Sequence, residues 1–167
     1  MKMVMMTATA ALLSVPALAA PVDLSTWTDE TLNNSGSNWT VQGVGNDTVF
    51  QSVNGNPTVF FEAGANDQGT SLSGQITVET GGDDDFIGFV LGYQSGELNS
   101  ASADFLLIDW KQNDQSPAVD GLAISRVSGD TDGAPTNDFW QHVGVVEELQ
   151  RGSTLGSTGW LDNTTYT

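Results

Sequence analysis

Three consecutive aspartates, Asp83 to Asp85, run directly into an apolar segment that begins at Phe86. Neighbouring carboxylates that are ionised repel one another by about 1 kcal/mol per pair in water at ~4 Å, so something must compensate their charge. Solvent and salt do this if the loop is open, whereas a hard cation such as calcium does it if the oxygens converge. The pattern therefore predicts either a calcium site or a solvated acidic turn.

The direction of the side chains limits how many of the three aspartates one ion can use. Alternate residues of a strand face opposite ways, so Asp83 and Asp85 would share one side and Asp84 the other. Calcium takes roughly six to eight oxygen ligands, so carbonyls, water or a carboxylate from another segment must complete the site. We predict Asp109 as that carboxylate, because it lies in the next strand motif beside Trp110.

A second metal candidate is the pair Asp130 and Asp132, which is followed by Gly133. Acidic residues at alternate positions before a glycine are typical of the start of a calcium loop. The segment is not an EF-hand, because Gln141 stands where that loop needs a bidentate glutamate. The alternative interpretation is a turn rich in aspartate.

Enzymatic patterns are scarce. The chain has no cysteine and a single histidine, His142, which excludes thiol catalysis and histidine-rich zinc sites. No nucleophile elbow accompanies its serines, and Glu147 and Glu148, as neighbours, would face opposite sides of a strand. We predict a protein that is not an enzyme, with a glycoside hydrolase as the less favoured alternative.

Short runs rich in Val, Ile, Phe, Thr and Trp, separated by Gly, Asn, Asp and Ser, predict an all-β chain. The runs cover residues 38–44, 48–53, 58–62, 71–79, 86–93, 103–111, 122–127 and 142–149, and the last could also form two helical turns. We expect residues 86–93 and 103–111 to be central strands, because they are the most continuously apolar. The expected fold is an antiparallel sandwich or jelly roll.

The order of these motifs resembles the thrombospondin C-terminal domain family. The matching blocks are GQITV (74–78), DDDFIGFVLGYQ (83–94), FLLIDWKQ (105–112) and, further on, GWLDNTTY (159–166). The resemblance extends over residues 23–167 and implies a lectin-like, concanavalin A-like jelly roll that binds calcium in an extracellular adhesive or matrix role. Because family members continue beyond the point that corresponds to Thr167, it also implies a sandwich that lacks its last strands.

The first nineteen residues are typical of a secretory signal peptide. Lys2 supplies the positive end, residues 8–15 form the apolar centre, and Ala17-Leu18-Ala19 is a small-x-small cleavage pattern. We therefore predict a signal peptide over residues 1–19 and one exported domain over residues 20–167. No other run approaches the ~20 apolar residues of a membrane span.

The charge balance narrows the class of partner. Four basic residues face 21 acidic ones, for a net charge of −17. Nucleic acid and anionic lipid are bound through Lys and Arg, so neither is an expected partner. We expect an extracellular protein or a glycan instead. A carbohydrate-binding lectin-like domain is the alternative to a calcium-dependent adhesion module, and an exposed tryptophan near the acidic loops would favour it.

Overall fold

A computed structural model describes residues 20–66, 68–71, 73–79, 81–82, 85–154 and 156–167. Ten strands, one α-helix and two short 3-10 turns (Leu32–Asn34 and Glu97–Asn99) make up the described fold. The strands are β1 (Thr28–Thr31), β2 (Trp39–Gln42), β3 (Thr48–Gln51), β4 (Thr58–Phe61), β5 (Ile76–Thr77), β6 (Phe86–Leu91), β7 (Ala103–Lys111), β8 (Gly121–Gly129), β9 (Val146–Arg151) and β10 (Thr165–Tyr166). The helix α1 covers Thr136–Gln141.

The largest sheet is an antiparallel meander with the strand order β6-β7-β8-β9. Side chains alternate strictly along its two long strands: Ala123, Ser125 and Val127 of β8 are buried on one face, whereas Ile124 between them is 37% exposed. We call the buried side the inner face and the opposite side the outer face. A strand of period two separates its side chains in this way.

Three two-stranded sheets complete the fold: β1 with β4, β2 with β3, and β5 with β10. The β1–β4 ribbon packs over the inner face through an aromatic chain, in which Phe61 meets Tyr93 edge-on at 4.9 Å and Tyr93 meets Phe105 at 5.1 Å. Helix α1 also packs against this core, where its Phe139 is buried. The buried cluster contains Leu32, Leu98, Ala103, Phe105, Val127, Ala134, Phe139 and Val146.

The all-β antiparallel fold class is confirmed, and its packed layers are those of a sandwich. The run predicted over residues 103–111 matches β7 at both ends. Two expectations were wrong in detail: the last predicted strand begins at Val146 and not at residue 142, and the preceding loop contains α1. The predicted signal peptide lies outside the described residues, and no described helix is long and apolar enough to cross a membrane.

Candidate functional site

The acidic segment leads into β6, at the edge of the four-stranded sheet. Asp83 and Asp84 lie outside the described residues, but Asp85 is described and half-buried. Its Oδ1 accepts a hydrogen bond from the indole Nε1 of Trp140 at 3.3 Å. Asp85 therefore contacts the end of α1.

Asp162, from the other end of the chain, lies beside Gly81, which precedes the aspartate triplet by two residues in sequence. Its Oδ2 lies 3.6 Å from the position that a Cβ on Gly81 would occupy. Its Oδ1 accepts a hydrogen bond from Nε2 of Gln112 at 3.1 Å, which fixes the carboxylate in this orientation. Sequence reasoning did not assign Asp162 a role, although the GWLD motif that contains it was the signal.

Packing between two of the recognised motifs positions Asp162. Trp160 is buried and donates from Nε1 to the carbonyl of Trp110 at 3.0 Å. Trp110 in turn donates from Nε1 to the carbonyl of Thr158 at 2.7 Å. Gly159 lies so close to the backbone of Gln112 that a Cβ would collide with it. The WKQ and GWLD segments thus form one unit that places Asp162 beside Gly81.

Asp109 has a different environment from the one predicted for it. It is 3% exposed on the inner face, and its Oδ2 forms an ion pair with Nε2 of His142 at 2.9 Å. Its Oδ1 is buried and has no hydrogen-bond partner among the described residues. Asp109 therefore contacts the residue that follows α1, and the structure does not bring it together with Asp85 or Asp162 in a group of metal ligands.

His142 lies between two carboxylates. Its Nδ1 is 2.9 Å from Oε2 of Glu148. Arg151 donates from Nη2 to the same oxygen at 2.5 Å and from Nε to Oε1 of Glu148 at 3.1 Å. Burial alone would lower the pKa of His142, but the hydrogen bonds and charges of Asp109 and Glu148 raise it above its ordinary value of 6.5. Burial would raise the pKa of Glu148, but its bonds to Arg151 and His142 lower it.

This network does not have the geometry of a serine hydrolase. Both ring nitrogens of His142 are engaged by carboxylates, so neither is directed at a serine hydroxyl. Ser125 is fully buried, and its Oγ has no partner among the described residues. The His142 side chain itself is 4% exposed. The arrangement is that of a buried ion-pair network that holds α1 to the sheet.

A cavity of about 210 Å³ opens beside this network. Phe86 and Trp140 contribute aromatic surface to its wall, and the ammonium of the fully buried Lys111 lies 5.2 Å from each of the two ring centroids. The other lining residues are Pro117, Ala118, Val119, Gln141, His142, Glu148 and Arg151. The cavity is thus next to Asp85 and combines aromatic with polar surface.

The second metal candidate is an exposed turn. Asp130 and Asp132 are both exposed, and the backbone N–H of Asp132 donates to Oδ1 of Asp130 at 3.2 Å. That bond is the one an aspartate makes in an Asx-turn. In the part of the chain that the structure describes, no group of three or more His, Cys, Asp or Glu side chains could hold a metal ion.

These features define an antiparallel β-sandwich domain in which two tryptophan motifs pack together and place Asp162 beside Gly81. The model of the family "Thrombospondin C-terminal region" matches residues 34–129. The match covers more than half of the chain, and the chain belongs to this family. It includes the acidic segment and strands β2 to β8, and it confirms the resemblance recognised in the sequence.

Curated relatives agree with the family assignment. Thrombospondin-2 from Bos taurus and Thrombospondin-2 from Mus musculus are each 33% identical to the chain in an alignment 147 positions long, which covers 77% of this chain and 11% of each relative. Thrombospondin-3b from Danio rerio is 35% identical over 79 residues, which is 47% of this chain and 8% of that protein. The chain thus spans about a tenth of the length of these relatives. No solved structure matches it significantly.

Proposed function

We propose that this protein is a secreted, calcium-binding interaction module that contributes to adhesion or matrix assembly outside the cell and catalyses no reaction. The observation that carries the proposal is the position of Asp162, a carboxylate from a distant part of the chain, beside Gly81. Gly81 precedes the three consecutive aspartates by two residues in sequence, and the adjacent charges of those aspartates need compensation. Membership of the thrombospondin C-terminal family supports the extracellular role.

The available donors fit calcium rather than a softer metal. Asp85 and Asp162 offer carboxylate oxygens, and the adjacent Asp83 and Asp84 add two more carboxylates in sequence. Oxygen-only donor sets of this kind suit calcium, whereas zinc and copper prefer nitrogen and sulfur. When bound, the ion would neutralise the acidic loop and hold it against the GWLD segment, so that a partner protein meets an ordered surface.

Calcium titration of Asp85→Asn and Asp162→Asn variants tests this site. We expect the parent chain to bind with a dissociation constant of about 10⁻⁴ to 10⁻³ M, typical of extracellular modules. At ~100 times that constant, calcium should raise the free energy of unfolding by about 2.7 kcal/mol. Both variants should lose most of this gain in thermal unfolding and calorimetry. Asp47→Asn, on the exposed β2–β3 turn, is the matched control.

Two further measurements test the specificity of the site: the response to magnesium, and the calcium response of variants at the other predicted ligands. A response of the same size to magnesium would contradict a calcium site, and an unchanged response in both variants would remove Asp85 and Asp162 from it. Asp109 is still a predicted ligand. If Asp109→Asn lowers stability but leaves the calcium-dependent gain intact, its partner is His142 alone. Asp130→Asn tests the exposed second candidate in the same way.

A carbohydrate-binding function is the second candidate, and the cavity beside Asp85 favours it. Phe86 and Trp140 provide the aromatic surface on which sugar rings stack, and Glu148 adds a polar edge for hydroxyl groups. Intrinsic fluorescence with a panel of neutral mono- and disaccharides measures such binding. Binding that Trp140→Ala abolishes and Trp27→Ala preserves would establish the site. The absence of any saccharide response in the folded parent chain would eliminate it.

A further inference from the structure

Trp140 contacts the candidate calcium site and the cavity at the same time. Its indole Nε1 donates a hydrogen bond to Oδ1 of Asp85 at 3.3 Å, and its ring forms part of the cavity wall. Phe86, which follows Asp85 in the chain, supplies the other aromatic ring of that wall. The orientation of the Asp85 carboxylate is therefore linked to the residue that shapes the cavity.

The backbone that carries the indole is anchored on both sides. Phe139, the residue before Trp140, is buried in the core. His142, two residues after Trp140, contacts Asp109 and Glu148 at 2.9 Å each. Helix α1 therefore presents the indole N–H at a fixed place, and the carboxylate that accepts its hydrogen bond is oriented by it.

A buried cation holds the ring itself. The ammonium of Lys111 lies 5.2 Å from the ring centroids of both Trp140 and Phe86, and Lys111 is fully buried. A desolvated cation at this distance attracts an aromatic ring through the ring's quadrupole. Lys111 thus joins the two aromatic wall residues, and the hydrogen bond from Trp140 joins that wall to Asp85.

An indole N–H is well suited to orient a metal ligand. It donates a single hydrogen bond and carries no charge, so it orients the carboxylate of Asp85 without neutralising it. Lysine or arginine in the same place would compete with a metal ion for the negative charge. Carboxylates that bind metals generally accept hydrogen bonds of this kind, and loss of the donor typically lowers metal affinity by roughly 10- to 100-fold.

We infer that Trp140 is a positioning residue that couples the candidate calcium site to the cavity: it orients Asp85 for calcium, and calcium bound at Asp85 in turn fixes the indole in the cavity wall. The inference rests on the calcium-binding function proposed for this chain and adds that the ion controls the shape of the cavity. Such coupling is reciprocal, so calcium and a ligand packed on the Trp140 ring would each raise the affinity of the other by the same factor.

Calorimetric calcium titration of Trp140→Phe tests the positioning role. The substitution keeps an aromatic ring beside Lys111 but removes the N–H, so calcium affinity should fall by roughly 10- to 100-fold. Trp39→Phe is the matched control and should bind calcium like the parent. Trp39 also donates from Nε1, to Oγ1 of Thr58 at 2.9 Å, but it lies on the separate β2–β3 ribbon. Circular dichroism must show that the variants are folded, and Trp140→Met replaces Trp140→Phe if the latter is not.

The indole N–H resonances provide a readout that a purely structural role would not change. The chain has five tryptophans, and each Trp→Phe variant identifies one peak in proton–nitrogen correlation spectra. Calcium should shift the Trp140 peak and leave the Trp39 peak in place, and Asp85→Asn should abolish the shift.

Two results overturn the inference and leave the calcium site standing. One is a calcium affinity that the folded Trp140 variants leave unchanged. The other is a Trp140 peak that calcium does not move in a chain that binds the ion. A parent chain that binds no calcium in calorimetry overturns the proposed calcium site, and this inference with it.

Discussion

At the scale of single residues, the Asp109–His142–Glu148 arrangement dictates a protonation state. A neutral imidazole has one N–H donor, whereas a protonated one has two. Both His142 nitrogens lie 2.9 Å from a carboxylate oxygen, so when both carboxylates are ionised only the protonated ring can donate to both. This is the geometric reason for the raised pKa of His142. The charge also compensates Asp109, which is buried.

The pH dependence of stability follows from the directions of these shifts. The raised pKa of His142 makes its contribution complete below its unfolded value of 6.5 and lost as pH rises through the folded pKa. The lowered pKa of Glu148 makes its contribution complete above its unfolded value of 4.5 and lost as pH falls through the folded pKa. The network therefore stabilises the fold most between those two values.

We expect the free energy of unfolding to decrease as the pH rises from about 6 to about 9. His142→Gln keeps one donor but cannot be protonated, so it should cost roughly 1–3 kcal/mol at pH 6 and remove this slope. Denaturant unfolding at several pH values measures both effects. Asp132→Asn, on the exposed turn, should retain the parental slope. A parental slope in His142→Gln would assign the titration to another group.

The sequence predicts part of this chemistry. The sequence identifies His142 as the single histidine of the chain, and the structure shows that its side chain is buried. The contacts of His142 with Asp109 and Glu148 could not be predicted, because they join β7, the end of α1 and β9, which are distant in sequence. The same applies to Asp162, whose proximity to Gly81 depends on a packing unit formed by two motifs.

At the scale of elements, apolar content located β6 and β7, but the expectation that both are central strands was wrong for β6, which lies at the edge of the described four-stranded sheet next to β7. The buried and exposed residues of β7 alternate along its length, and its ends match the expectation. The short strands β1 and β10 were missed, since four and two residues give too little pattern. Helix α1 was missed because Thr, Asn and Asp have low helix propensity. Its Phe139, which is 7% exposed in the core, stabilises it through packing.

Gly159 connects the packing of these elements to the candidate calcium site. Gly159→Ala places a Cβ against the Gln112 backbone, so the GWLD segment must move. We expect a loss of about 1–3 kcal/mol in stability, typical of overpacking, together with weaker calcium binding as Asp162 withdraws. Thermal unfolding with and without calcium measures both. Gly74→Ala is the matched control, since open space surrounds that position. Equal calcium affinities in Gly159→Ala and the parent would separate the packing unit from the site.

At the scale of the whole molecule, composition and motif order were sufficient for the fold class and the family. Regular short apolar runs indicated antiparallel strands, and the order of the acidic and tryptophan motifs identified the thrombospondin C-terminal family. The way in which the sheets pack against one another could not be predicted from the sequence. A sequence that alternates on β7 and β8 does not say which face meets the β1–β4 ribbon, because apolar residues occupy both faces of these strands.

The pairing of β5 with β10 has a consequence for how the chain must fold. Each strand of the β6-β7-β8-β9 meander pairs with its neighbour in sequence, whereas the bond between Thr77 and Thr165 spans 88 residues. Compared with a loop on the order of ten residues, closing that span costs about 2 kcal/mol more in chain entropy. The contacts within the two-residue ribbon β5–β10 offset little of this loss of chain entropy by themselves. Its closure must therefore be stabilised by the neighbouring tryptophan contacts as well, including Tyr166 against Trp110 at 4.5 Å.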